Sequence, residues 1–215
     1  MSDSVWKPND SLVLSYLELR TSIGVIGMLL PFAVAIGNIF VEGPSILASI
    51  SSYYHSIMGD VFVGSLCAIG VFLWSYRGYA RIDAIAGNVA AFCAIGLALF
   101  PTAPDSPTVL QIQIGHLHLI FASGFFISLA FFALYLFRKT HSNVPPTGMK
   151  IIRNRVYLVC GAVIFACITA IALLHFTPKD EVTHALAPVF WLESLAIVAF
   201  GISWFVKGET ILKDE

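Results

Sequence analysis

Apolar residues fall in long blocks along this chain, not in the alternation of strands or the narrow stripes of soluble helices. Six blocks reach membrane-crossing length: 21–40, 57–76, 84–101, 116–137, 156–175 and 185–206. A helix needs about 20 predominantly apolar residues to span a bilayer, at ~1.5 Å each. The pattern predicts an all-α polytopic membrane helix bundle of about six transmembrane helices. A cytoplasmic N-terminal segment would occupy 1–20, the six-helix domain 21–206 and a cytoplasmic tail 207–215. The apolar stretch 12–19 is too short to cross and reads as an interfacial amphipathic helix. The opening residues lack the basic flank and short apolar core of a cleavable signal peptide.

Charge orients the bundle. Eleven of the twelve Lys and Arg precede the first span, follow the second, fourth and sixth, and leave only Lys179 for the remaining connections. A one-sided distribution of basic residues marks the cytoplasmic face, which predicts both termini inside. Trp74, Tyr76, Tyr135 and Trp204 fall near inner ends of spans, and Tyr53 and Tyr54 near an outer end, as amphipathic rings at headgroup level would.

Composition agrees with the pattern. The chain is 58% hydrophobic and 12% charged, about half the charge of a typical soluble domain. Its net charge of −1 offers no bulk field for nucleic acid, and membrane lipid is the expected partner. Small residues recur at helical spacing in the third span (Ala86, Ala90, Ala94, Ala98), with Gly24 and Gly27 in the first and Gly64, Ser65, Ala68 and Gly70 in the second. Such faces pack helices closely in lipid, which predicts a central position for the third span. Cys67, Cys93, Cys160 and Cys167 all fall in apolar blocks and read as packing residues.

Chemistry gathers on the outer side. On the predicted topology His55, His116, His118, His175 and His184 lie at outer ends of spans, with His141 alone on the cytoplasmic side. Asp60 lies one turn into the second span and Glu193 deeper in the sixth. A carboxylate in hydrocarbon is costly unless paired, protonated or wet, so both are candidate functional groups. Ser51 and His55 are four apart, a spacing that puts them on one face of an α-helix. His55 and Asp60 are ~140° apart on such a helix, and His116 and His118 ~200° apart, so only one of the latter pair would face inward. Three histidines and a water form a catalytic zinc arrangement. His55 and His184 with His116 or His118 would supply the ligands, and Ser51, Asp60 and Glu193 the catalytic groups.

The Ser51-x-x-x-His55 element resembles the Ser-x-x-x-His element of the CREST membrane hydrolases, which include alkaline ceramidases and adiponectin-receptor-like proteins. The resemblance implies a zinc-dependent hydrolase of lipid amides or esters, with His55 a metal ligand and Ser51 a site hydroxyl. That superfamily has seven spans and a His-x-x-x-His in its last, where this chain has six blocks and His184. The stretches 49–64 (SISSYYHSIMGDVFVG) and 190–208 (FWLESLAIVAFGISWFVKG) are similar to a group of small bacterial inner-membrane proteins. This second resemblance implies fold and bacterial inner-membrane location and no activity.

A metal-dependent hydrolase leads among the functions. The alternatives are an outward-opening binding or transport protein using Glu193 and Asn88, a haem protein with His116 facing His184, and an accessory membrane subunit without catalysis.

Overall fold

The computed structural model describes residues 10–78, 80–140, 145–174, 176, 186–208 and 211–212. Among them are six helices and no strand: α1 (Asp10–Glu42), α2 (Gly59–Ser75), α3 (Arg81–Leu99), α4 (Val109–Phe131), α5 (Gly148–Leu174) and α6 (Pro188–Lys207). A π-helical turn, Phe132–Leu136, prolongs α4, and a 3-10 turn, Ser51–His55, precedes α2. Five of the six helices are long and apolar enough to cross a membrane. The exception, α2, has 17 residues and would extend about 25 Å. This is an integral membrane protein.

The predicted blocks and the helices correspond one to one, but α1, α4 and α5 begin well before their blocks, at Asp10, Val109 and Gly148. The first helix runs unbroken from Asp10, so 12–19 continues directly into the first span. The second is shortened at its start, where the chain forms the 3-10 turn before α2 begins at Gly59. Gly43, with φ +99°, ends α1 in the left-handed region, and its amide bonds back to the Ile39 carbonyl. That conformation costs glycine little and other residues more.

Each helix packs on its chain neighbours, and α6 closes the ring against α1 while also touching α4. The third helix therefore sits between α2 and α4 and is not the central helix that its alanine repeat suggested. The repeat itself is buried, with Ala90 and Ala94 fully enclosed. Small residues govern how near two helices come, not how many neighbours a helix has. The closest approach is between α1 and α6. A Cβ on Gly24 would lie 2.7 Å from the Gly201 carbonyl oxygen, and one on Gly201 would lie 2.6 Å from that of Gly24. Cys93, Cys160 and Cys167 are buried in the same packing.

The basic side chains gather at one end of the bundle, and many cap helix carbonyls there. Arg77 donates to the Trp74 and Tyr76 carbonyls at the end of α2. Arg138 donates to Leu134, and Lys150 to Phe137, after α4. Arg20 donates to the Lys207 carbonyl at the end of α6, so the start of α1 and the end of α6 share this end. Cations near helix C-termini satisfy orphan carbonyls and suit the helix dipole. Inside the collar Asp83 is buried, accepts from the Ala80 amide at 2.7 Å and pairs with Lys139 at 3.2 Å.

Aromatic rings fill the space beneath. Trp204 is fully buried and packs against Tyr76 (5.0 Å between ring centres), Phe137 (5.1 Å), Phe132 (5.4 Å) and Phe200 (6.0 Å). Trp74 and Tyr135 are exposed, as headgroup-level rings would be, but Tyr76, Trp204 and Tyr53 are core residues. Hydropathy locates a ring near a span end without saying which way it turns.

Candidate functional site

The end opposite the basic collar is built differently. Between α1 and α2 the chain folds back into the bundle, with Ile50, Ser51 and Tyr53 buried. Ser49 caps the 3-10 turn by accepting from the Ser52 amide. The Tyr53 hydroxyl accepts from the Leu47 amide at 3.2 Å, and its ring packs on Phe190 of α6. Burial pushes the Tyr53 phenol above its ordinary range, opposed by the Leu47 amide. The segment is joined to α6 by the Phe190 amide, which donates to the Ala48 carbonyl at 3.0 Å, and by the Ile50 amide, which donates to Glu193 Oε2 at 2.7 Å, with the Ser51 amide also directed at that carboxyl group.

The 3-10 turn separates two groups that an α-helix would have aligned. At three residues per turn, positions four apart differ by ~120°. Ser51 turns inward to a small cavity that Glu193 also lines, whereas His55 is exposed. The expected shared face of Ser51 and His55 is thus absent.

His55 and His118 are instead brought together by the segment after α3. His55 Nε2 lies 2.7 Å from the Thr102 carbonyl oxygen, and His118 Nδ1 lies 2.7 Å from that of Phe100. A carbonyl only accepts, so each of these nitrogens carries the hydrogen. His55 Nδ1 and His118 Nε2 are left as the nitrogens able to take a further partner. Of the pair on α4, His118 is the buried member and His116 is exposed, as their opposed angular positions required.

The other candidates are dispersed. Asp60 lies in the first turn of α2, exposed, and makes no hydrogen bond among the described residues. An acid there suits the positive end of the helix dipole. Asn88 faces outward from α3, and the Thr169 hydroxyl returns to the Phe165 carbonyl of its own helix. Neither contributes to a path through the bundle. His184, His175 and His141 lie outside the described residues. Among the described residues no group of three or more His, Cys, Asp or Glu is placed to hold a metal ion.

Sequence reading passed over Asn38. It is fully buried in α1, and its side-chain oxygen and nitrogen have no hydrogen-bond partner among the described residues. A lone amide inside an apolar block was the available signal. Asp83 was also missed, because an acid next to a loop looks solvated until its lysine from another helix is seen.

No family model matches the chain, and neither do the curated proteins or the solved structures.

Proposed function

We propose that this is a bacterial inner-membrane protein with its basic end and both termini in the cytoplasm, and that its outward end carries a metal-dependent centre for hydrolysis of a lipid amide or ester. The observation that carries the reading is the His55–His118 pair. Each imidazole gives one nitrogen to a carbonyl of the same short segment, Phe100 and Thr102, and keeps the other free. A carbonyl-bound N–H fixes tautomer and ring orientation in the way that prepares histidine to ligate a metal.

His55 and His118 would supply two imidazoles of the type that zinc takes. His184, at the start of the last span, is the third ligand in this reading, and a fourth position would be left for water. Zinc held there would bring the pKa of that water to ~7 and so supply a nucleophile at neutral pH. The residues of the chain hold and orient: Thr102 and Phe100 aim the imidazoles, and the buried 3-10 turn sets His55 at the membrane boundary. Lipid ester and amide linkages lie at that depth, just below the headgroups. An outward-opening transport path is served less well. The cavity near Glu193 gives a water centre only about 20 Å³ of freedom, far below a substrate pocket of several hundred Å³.

Metal analysis of protein purified in mild detergent tests the reading. About one zinc per chain is expected, with clear loss in His55→Ala and in His118→Ala while the helical content persists. Wild-type protein that takes up no transition metal would end it. A reporter fused after Glu215 should read out in the cytoplasm, and an external reading would reverse the orientation.

A further inference from the structure

Among the described residues Glu193 is the acid that lines a cavity between the helices, and its surroundings define it further. Its Oε2 accepts the Ile50 amide at 2.7 Å. Beside it lies the small cavity, with room for one or two water molecules at about 20 Å³ for the water centre. The walls are Leu30 from α1, Leu66 from α2, Leu97 from α3, Phe125 from α4 and Ile197 from α6. Every element packed around the carboxyl group presents apolar groups, and no other titratable side chain lines the space. Ser51 is the one further polar residue there, and its hydroxyl makes no hydrogen bond among the described residues. No cation faces Glu193: among the described residues the single ion pair is Lys139–Asp83, at the opposite end.

A bare carboxylate in such a place would cost several kcal/mol. One backbone amide with its neighbour satisfies one oxygen. The other oxygen faces the cavity and needs a proton, a cation or water, and the cavity offers too few oxygen ligands for a metal cation. We propose that Glu193, half-buried in α6, is a proton-binding site. In the closed bundle Oε2 is the carbonyl oxygen that accepts the Ile50 amide. Oε1 carries the proton, which it donates to a water molecule in the cavity that Ser51 also lines. The proton comes from bulk water and returns there on ionisation. Ionising Glu193 leaves a charge among leucine and phenylalanine side chains, draws in further water and gives the Ile50 amide a charged acceptor in place of a neutral one. The 43–58 segment that holds Ile50 ends one residue before α2 and carries His55, so the proton sets how firmly the outward histidine is held. This inference stands whether or not the histidines bind metal.

The test uses full-length protein in detergent, with infrared spectroscopy and thermal unfolding from about pH 5 to about pH 9. Glu193→Gln keeps an acceptor for Ile50 and a donor toward the cavity, and so mimics the neutral acid. Wild type should show the carbonyl stretch of a protonated carboxyl group, sensitive to deuterium exchange, absent in Glu193→Gln and shifted in Ser51→Ala. The thermal midpoint of wild type should fall as pH rises, and that of Glu193→Gln should hold level at the wild-type low-pH value. The proposal is overturned by absence of a carboxyl band assignable to Glu193. It is equally overturned if Glu193→Gln fails to fold or is weakened throughout the range, because the fold would then require the ionised form. Zinc content unchanged in Glu193→Gln, alongside the expected infrared result, would separate this site from the histidine centre.

Discussion

The two ends of the bundle solve the same problem with different materials. At the basic end, helix carbonyls are capped by arginine and lysine side chains, and rings from α1, α2, α4, α5 and α6 meet around Trp204. At the other end, a stretch of backbone is folded into the bundle and held by single hydrogen bonds to Glu193, Phe190 and Thr102. Ring packing is non-directional and distributed over many contacts. Hydrogen bonds are few and specific, and each is worth about 0.5–1.5 kcal/mol net. The basic end is therefore the anchor of the fold, and the other end can rearrange without unfolding it. Functional elements are commonly drawn from such low-stability regions.

Substitution tests this contrast directly. Trp204→Ala should have the largest effect, about 3–5 kcal/mol, because a fully buried indole leaves a void shared by several helices. Chemical denaturation in mixed micelles reads it. A loss no larger than that of a surface substitution would dissolve the notion of an anchor. Asp83→Ala comes next, at about 2 kcal/mol: it uncaps the Ala80 amide and leaves the partly exposed Lys139 without its partner. Asp83→Asn should recover about half by retaining the cap, and the double variant with Lys139→Met isolates the ionic share.

The loop end should respond least. Tyr53→Phe removes one bond to the Leu47 amide and should cost about 1 kcal/mol. Its pH dependence sharpens the comparison. The folded phenol titrates above its unfolded value near ~10, so the folded state holds the proton more tightly. Stability from this group is complete below ~10 and is lost as pH rises toward the folded value. The Phe variant should lack that alkaline loss, read as thermal midpoint against pH. A parallel decline in both proteins would place the titration elsewhere.

The sequence by itself determined the membrane location, the number and order of the helices and the gathering of basic residues at alternate connections. These are local properties: a block of apolar side chains specifies a span whatever its neighbours, because unpaired backbone in lipid has no alternative to the helix. The burial of the Ala86–Ala98 stripe was legible for the same reason. Choices between partners remote in the chain were not legible. That His118 and not His116 turns inward follows from the rotation of α4 against α3. Ser51 parts from His55 because the chain enters α2 through a 3-10 turn. Glu193 meets the amide of Ile50, 143 positions away in sequence, only because α6 closes the ring on α1. Hydropathy states that a buried carboxyl needs a partner, and only the packing of six helices decides which group that partner is.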